Sequence, residues 1–192
     1  AQVLKQMGTE NVTKIASSFG ISRDAELTLL NAAGAYGVFA QQGVYFGQTV
    51  NDTFTPVTLL RVEGNDGSVW LDWKTPQAKP VVTPGLAYLM NNSLSDDTAR
   101  VGNSNVLKID RPAAVKLGQT DDALNAWTIG YSPSRVVAVW TSTHSFSQLA
   151  PRLPATLWNA LMQIATQDLP SDGWAAPKDV AVINVCDPSG ML

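Results

Sequence analysis

The sequence predicts an α+β domain, an antiparallel β-sheet packed with helices. Three observations carry that expectation. Helical periodicity appears towards both ends, at residues 9–20 and 154–167. Between them run β-rich segments separated by tight turn signals, among them Asn65-Asp66-Gly67 and Ser132-Pro133-Ser134. Strands joined by such short turns pair antiparallel, and helices before and after them are left to cover the sheet. The length of 192 residues fits one domain able to bury a core.

The elements follow in order. In TENVTKIASSFG (9–20), Val12, Ile15, Ala16 and Phe19 recur on one helical face; Thr9 is placed to cap the start and Gly20 suits the exit. A second helix is expected from after Asp24 towards Gln41, with Leu27, Leu30, Ala33, Gly34, Val38 and Phe39 as its apolar side. VTLLRVEGNDGSVWLDW (57–73) reads as a hairpin about the Asn-Asp-Gly turn. Trp70 and Trp73 stand three apart there, so they lie on opposite faces and at least one is exposed unless something covers it. Thr83-Pro84 joins a cap to a first-turn proline and opens a helix through about Leu94. Residues 95–110 are polar and aperiodic and read as a loop. From Ala113 the chain turns to strand, and Ala126–Tyr131 and Arg135–Trp140 flank the Ser-Pro-Ser turn. Residues 154–167 return to helix, with Leu157, Leu161 and Ile164 on one face. A Pro/Gly-containing connector at 170–179 leads to a short strand, Val180–Val185, ended by Asp187-Pro188.

Composition narrows the function classes. The chain is 45% hydrophobic and 15% charged, with a net charge of −3 and no cluster of Lys or Arg. Nucleic acid and anionic membrane surfaces are therefore not expected partners. One cysteine, Cys186, leaves no internal disulfide or cysteine-based zinc site, and one histidine, His144, has no second histidine to join as a ligand. No metal and no cofactor is expected. No apolar run approaches the ~20 residues of a membrane span. The abrupt start at Ala1-Gln2-Val3-Leu4 reads as a piece of a longer protein.

One stretch carries chemistry. Lys116-Leu117-Gly118-Gln119-Thr120 puts a lysine and a glycine on a strand that leads into the 126–140 hairpin. A lysine ammonium on an edge strand is a fixed positive charge for an anionic ligand group, and a glycine beside it permits close approach. Asp121 and Asp122 read as a solvated turn rather than an acid/base pair, and Trp127 and Trp140 as core or cleft-wall aromatics.

In order along the chain, GAYGVFAQQGVY (34–45), VTPGLAYLMNNSL (82–94), RPAAVKLGQT (111–120), NAWTIGYSPSRVVAVW (125–140) and KDVAVINVCDPSGML (178–192) resemble successive motifs of the transpeptidase domain of class A (bifunctional) penicillin-binding proteins. The third of these is similar to the family's "R-P-x-A-G-K-T-G-T-T". The resemblance implies that residues 1–172 are the carboxyl-terminal part of such a domain, and 173–192 a connector and short strand leading onward. It implies catalytic positions at Lys116 and Gly118 and substrate-binding positions at Leu117, Gln119 and Thr120. The backbone N–H of Gln119 would face the acyl-enzyme oxyanion. The family's Ser-x-x-Lys and Ser-x-Asn motifs occur nowhere in the chain and are expected upstream of it.

Three departures from the family pattern bear on the chemistry of the site. Leu117 stands where the family has a hydroxyl that donates to the substrate carboxylate, Gln119 replaces a threonine, and Asn125 replaces an aspartate. Loss of one charge-assisted hydrogen bond costs about 1.5–3 kcal/mol, or ten- to a hundredfold in binding. Two functions remain open on these residues. One is a D,D-transpeptidase that cross-links peptidoglycan stem peptides through an acyl-serine and is trapped by β-lactams. The other is a degenerate, non-catalytic module of the same fold that binds cell-wall peptides or partner proteins. The implied partners are D-Ala-D-Ala stem peptides, β-lactams and the amino-terminal half of the domain. The implied location is the extracytoplasmic face of the bacterial membrane, held by an anchor outside this chain. By resemblance the sheet takes its first strands from that upstream half, so an unpaired sheet edge is expected here.

Overall fold

In the computed structural model, which describes residues 6–22, 26–51, 53–98, 104–143, 152–181 and 183, the chain forms α1 (Thr9–Ser18), α2 (Leu29–Ala40), β1 (Val44–Val50), β2 (Thr53–Thr55), β3 (Arg61–Glu63), β4 (Val69–Asp72), β5 (Gln77–Pro80), α3 (Pro84–Ser95), α4 (Ser104–Leu107), β6 (Ala114–Gln119), β7 (Asn125–Tyr131), β8 (Val136–Ser142) and α5 (Arg152–Thr166). The α+β class holds. β6, β7 and β8 make an antiparallel sheet in the order β6-β7-β8. β2-β1-β5 make a second small sheet, and β3-β4 a separate ribbon. No described helix is long and apolar enough to cross a membrane.

Register explains how the central sheet is covered. Lys116 pairs with Ile129 and Ile129 with Ala138, while Gly118 pairs with Trp127 and Trp127 with Trp140. Side chains alternate along each strand, so Lys116, Gly118, Ile129, Trp127 and Trp140 share one face. Val115, Leu117, Thr128, Gly130 and Val139 share the other. On that second face α5 lies down with Ala155, Trp158 and Met162 buried against Val115 and Val139. Gly130 makes this possible: a Cβ there would sit 2.4 Å from the Trp158 ring. On the first face α2 and α3 cover one end, where Ala40, Ala114 and Tyr131 are buried together. The Tyr131 hydroxyl donates to Asn91 Oδ1 at 2.8 Å, and Asn91 Nδ2 donates to the Phe39 carbonyl at 3.0 Å. A polar pair thus ties β7, α3 and α2 inside the core, fully satisfied as burial demands. In the connector, Trp174 stacks edge-on against Tyr131 at 5.5 Å and donates to the Ala40 carbonyl at 3.0 Å.

The local start and stop signals largely hold. Thr83 accepts from the Leu86 amide and Pro84 occupies the first turn of α3. Gly20 leaves α1 at φ +79, a conformation that costs glycine nothing. The β3–β4 turn is closed by Asp66, whose Oδ1 accepts from the Ser68 amide and hydroxyl, and those bonds hold its carboxyl below the usual carboxylate range. Trp70 is 73% exposed, as one of the two ribbon tryptophans had to be.

Other expectations are corrected. α1 is preceded by Gly8 rather than capped by Thr9. α2 begins at Leu29 under a Thr28 cap, and it buries Ala32, Ala35, Val38 and Ala40, leaving Leu27 and Leu30 exposed. α5 buries Pro154, Ala155, Trp158, Met162 and Thr166, not Leu157, Leu161 and Ile164. Both helices offer more than one apolar face, and the sheet takes the face whose side chains fit its own gaps. The 57–73 hairpin pairs only over Arg61–Glu63 and Val69–Asp72, with a bulge at Val62/Glu63. β1, β2 and β5 were not signalled by alternation. The 95–110 loop contains α4, which sends Leu107 into the α5 core. At 180, 181 and 183 the chain is not strand; 182, 184–185 and Cys186 lie outside the described residues, as does His144.

Candidate functional site

The site is built on β6, the first strand of the sheet, whose outer side carries no strand among the described residues. Lys116 is exposed on it, and its Nζ donates to the Leu117 carbonyl at 3.2 Å. Leu117 points the other way and packs against the α5 core. Alternation dictates this: with Lys116 turned to one face, the next side chain reaches the other. A leucine in that place contributes apolar burial where a threonine would bring a hydroxyl.

Gly118 follows on the Lys116 face. A Cβ on it would meet only the Cβ of Trp127, at 3.8 Å, an ordinary contact. Neither positive φ nor tight packing among the described residues requires glycine there. Gln119 is exposed at the end of the strand, opposite Ala126. Thr120 builds the turn into β7: its hydroxyl donates to Asp122 Oδ1 at 2.6 Å and accepts from the Asn125 amide at 3.1 Å. The Thr120 hydroxyl, then the Leu124 amide, hold the Asp122 carboxyl below its ordinary range, as expected of a solvated turn carboxylate. All five residues from Lys116 to Thr120 border one cleft of about 380 Å³.

The opposite wall of that cleft was not foreseen. It comes from the α1–α2 connection and from α2, through Ile21, Leu27, Ala32, Ala35 and Tyr36, and its floor includes Trp127 and Ile129. The small residues Ala32 and Ala35, three apart on α2, were the available signal for a helix that leaves room beside a sheet. Burial raises the Tyr36 phenol, so it is a neutral hydrogen-bonding group at ordinary pH. Beyond Trp127 its ring meets Trp140 at a centroid distance of 5.9 Å, and Trp140 Nε1 donates to Asn125 Oδ1 at 3.2 Å.

The arrangement can hold an anion beside an apolar surface. The residues lining this cleft include one cation, Lys116, and no serine, cysteine or histidine. Among the described residues no cluster of His, Cys, Asp or Glu offers a metal site.

The chain is similar to known proteins over most of its length. It is 28% identical to penicillin-binding protein 1A of Clostridium novyi over 163 residues, which is 83% of this chain. It is 25% identical to penicillin-binding protein 1A of Aquifex aeolicus over 95% of the chain. The whole chain superposes on the crystal structure of penicillin-binding protein 1A from Haemophilus influenzae with a TM-score of 0.79 at 19% identity. The chain is thus similar in sequence and in fold to the penicillin-binding proteins 1A.

The penicillin-binding fold extends to a second solved structure, penicillin-binding protein A of M. tuberculosis as an imipenem acyl-enzyme complex, with a TM-score of 0.65, 17% identity and 85% of this chain covered. The chain spans 18% of the C. novyi protein and 26% of the A. aeolicus protein. It covers 36% of the H. influenzae chain. No family model matches the sequence.

Proposed function

We propose that this chain supplies the carboxyl-terminal part of a D,D-transpeptidase domain that cross-links peptidoglycan stem peptides. The observation that carries the reading is the exposed Lys116 on the open side of β6, facing an apolar cleft, in a chain similar to the penicillin-binding proteins 1A. In this reading residues 1–172 belong to the transpeptidase domain and 173–192 lead out of it. The nucleophilic serine lies on a segment outside this chain. Its Oγ attacks the carbonyl of the penultimate D-alanine, the amide bond breaks, and the terminal D-alanine leaves with the proton. An amine of a neighbouring stem then takes the acyl group and restores the serine. A β-lactam acylates the same oxygen and stays there. Lys116 holds the ligand carboxylate, Gly118 leaves room for it, and the Gln119 amide faces the oxyanion. Gln119 and Thr120 border the peptide. The domain works on the extracytoplasmic side of the membrane, anchored elsewhere in the protein.

A second reading is favoured by Leu117. Its side chain is committed to the α5 core, so the carboxylate has no hydroxyl donor at that position. This suits a module that binds cell-wall peptides or partner proteins without turnover.

Covalent labelling of the full-length protein with a fluorescent penicillin, read by intact mass, separates the two. One adduct on a serine outside this chain is expected, and none on the 192-residue chain alone. A full-length protein that never takes the label sinks the transpeptidase and leaves the binding module. Position 117 also borders the cleft on the open edge of β6, where a threonine can turn its hydroxyl out of the α5 core; in the full-length protein Leu117→Thr is therefore expected to speed acylation by about tenfold. It also costs about 1 kcal/mol of stability, because an apolar contact with the α5 core is lost. An unchanged acylation rate means another group holds the carboxylate.

A further inference from the structure

Trp127 and Trp140 pair across β7 and β8 on the same sheet face as Lys116 and Gly118. The pair is within reach of a ligand: Trp140 is 48% exposed and Trp127 borders the cleft. Its exposure is not slack: Asn125 Oδ1 accepts the Trp140 indole N–H at 3.2 Å and so fixes the ring's orientation. Gly118 stands between the lysine and the rings, and no described group but the Trp127 Cβ lies within 4 Å of where its side chain would be. The way from Lys116 to the indoles is therefore open. Strand geometry sets its length: about 7 Å along β6 from Lys116 to Gly118, then about 5 Å for each strand crossed.

Resting on the transpeptidase-site reading above, we propose that Trp127 and Trp140 form an aromatic shelf, entered across Gly118, that takes the apolar acyl side group of the anionic ligand held at Lys116. The ligand class is a carboxylate-bearing acylated peptide or β-lactam with an aryl or long aliphatic group about 7–12 Å from its carboxylate. A fixed aromatic surface beside a single cation selects such a ligand: the charge orients one end, and offset or edge contacts with the indoles hold the other. Asn125 is a positioning residue that acts through Trp140.

The test uses the full-length protein and matched ligands differing only in the acyl group: phenylacetyl and acetyl penicillins, and phenylacetyl- and acetyl-D-Ala-D-Ala. The readout is the ratio of phenylacetyl to acetyl, as acylation rate for the penicillins and as equilibrium binding by tryptophan fluorescence for the dipeptides. Trp140→Ala is expected to lower that ratio by about tenfold. Asn125→Ala lowers it by about threefold, and Asn125→Asp, which keeps an oxygen to accept the indole N–H, restores it. A ratio unchanged in Trp140→Ala, with both ligands weakened alike or neither affected, overturns the shelf while leaving acyl transfer intact; polypeptide from elsewhere in the protein then covers the rings. If wild type takes no penicillin but binds the phenylacetyl dipeptide more tightly, and Trp140→Ala removes that preference, acyl transfer fails and the shelf stands. If wild type takes neither penicillin and has no preference between the dipeptides, both fall.

Discussion

On the α5 side of the β6–β7–β8 sheet, Val115, Val139, Trp158 and Met162 close a buried layer, and even the missing Gly130 side chain is filled by an indole. On the other side, α2 and α3 bury Ala114 and Tyr131, but the cover thins along the strands until Gly118 borders the cleft and Trp140 is half-exposed. Both sides contain a glycine against a tryptophan. Gly130 is required because Trp158 occupies its side-chain space; at Gly118 no described group but the Trp127 Cβ comes within 4 Å of that space. Identical residue types thus mark a packing need on one face and no such need on the other.

That contrast can be broken most severely through Trp158. Trp158→Ala empties the layer beneath Gly130 and is expected to cost about 4 kcal/mol, read from denaturant unfolding. A cost below 1 kcal/mol would mean that the α5 face is not the main core. A smaller effect lies at the covered end of the other face. Tyr131→Phe removes the donor to Asn91 and leaves that buried oxygen unmet, for about 2 kcal/mol. Burial first, then the neighbouring Tyr36, push the Tyr131 phenol above its ordinary value near 10. A group raised in this way adds stability below its unfolded-state pKa and loses it as pH climbs beyond. The wild-type unfolding free energy is thus expected to fall above pH about 10, and Tyr131→Phe to fall less steeply. Parallel curves would remove the phenol from the explanation. The smallest effect sharpens the comparison most. Gly118→Ala should leave stability unchanged or raise it by about 0.5 kcal/mol, since alanine is the better strand residue, while weakening penicillin acylation. A loss of 2 kcal/mol would give Gly118 the same structural role as Gly130.

Much of this was legible in the residues where a local signal has one physical meaning. Thr83-Pro84 starts α3, the Ser132-Pro133-Ser134 turn joins β7 to β8, and Asn65-Asp66-Gly67 turns the ribbon, because caps and turns are settled by neighbours in the chain. The choice of buried face was not legible. α5 carries Leu157, Leu161 and Ile164 as convincingly as Trp158 and Met162, and only the shape of the sheet decides between them. β1 was hidden because VYFGQTV, with its central glycine and polar residues, lacks clean alternation and follows directly on a helix. The Lys116 site was legible as a strand with a charge and a gap, but its far wall on α2 came from a long-range contact that no local pattern announces.

The open side of β6 has a consequence for the rate at which its amides trade hydrogen for deuterium. Every second amide between 115 and 118 turns towards β7 and is locked in the ladder; those between turn outward. In solvent the strand should therefore show alternating slow and fast sites. An extended ligand laid along it would complete the ladder and make the whole run slow. Occupancy of the site can thus be followed, residue by residue, in the backbone itself.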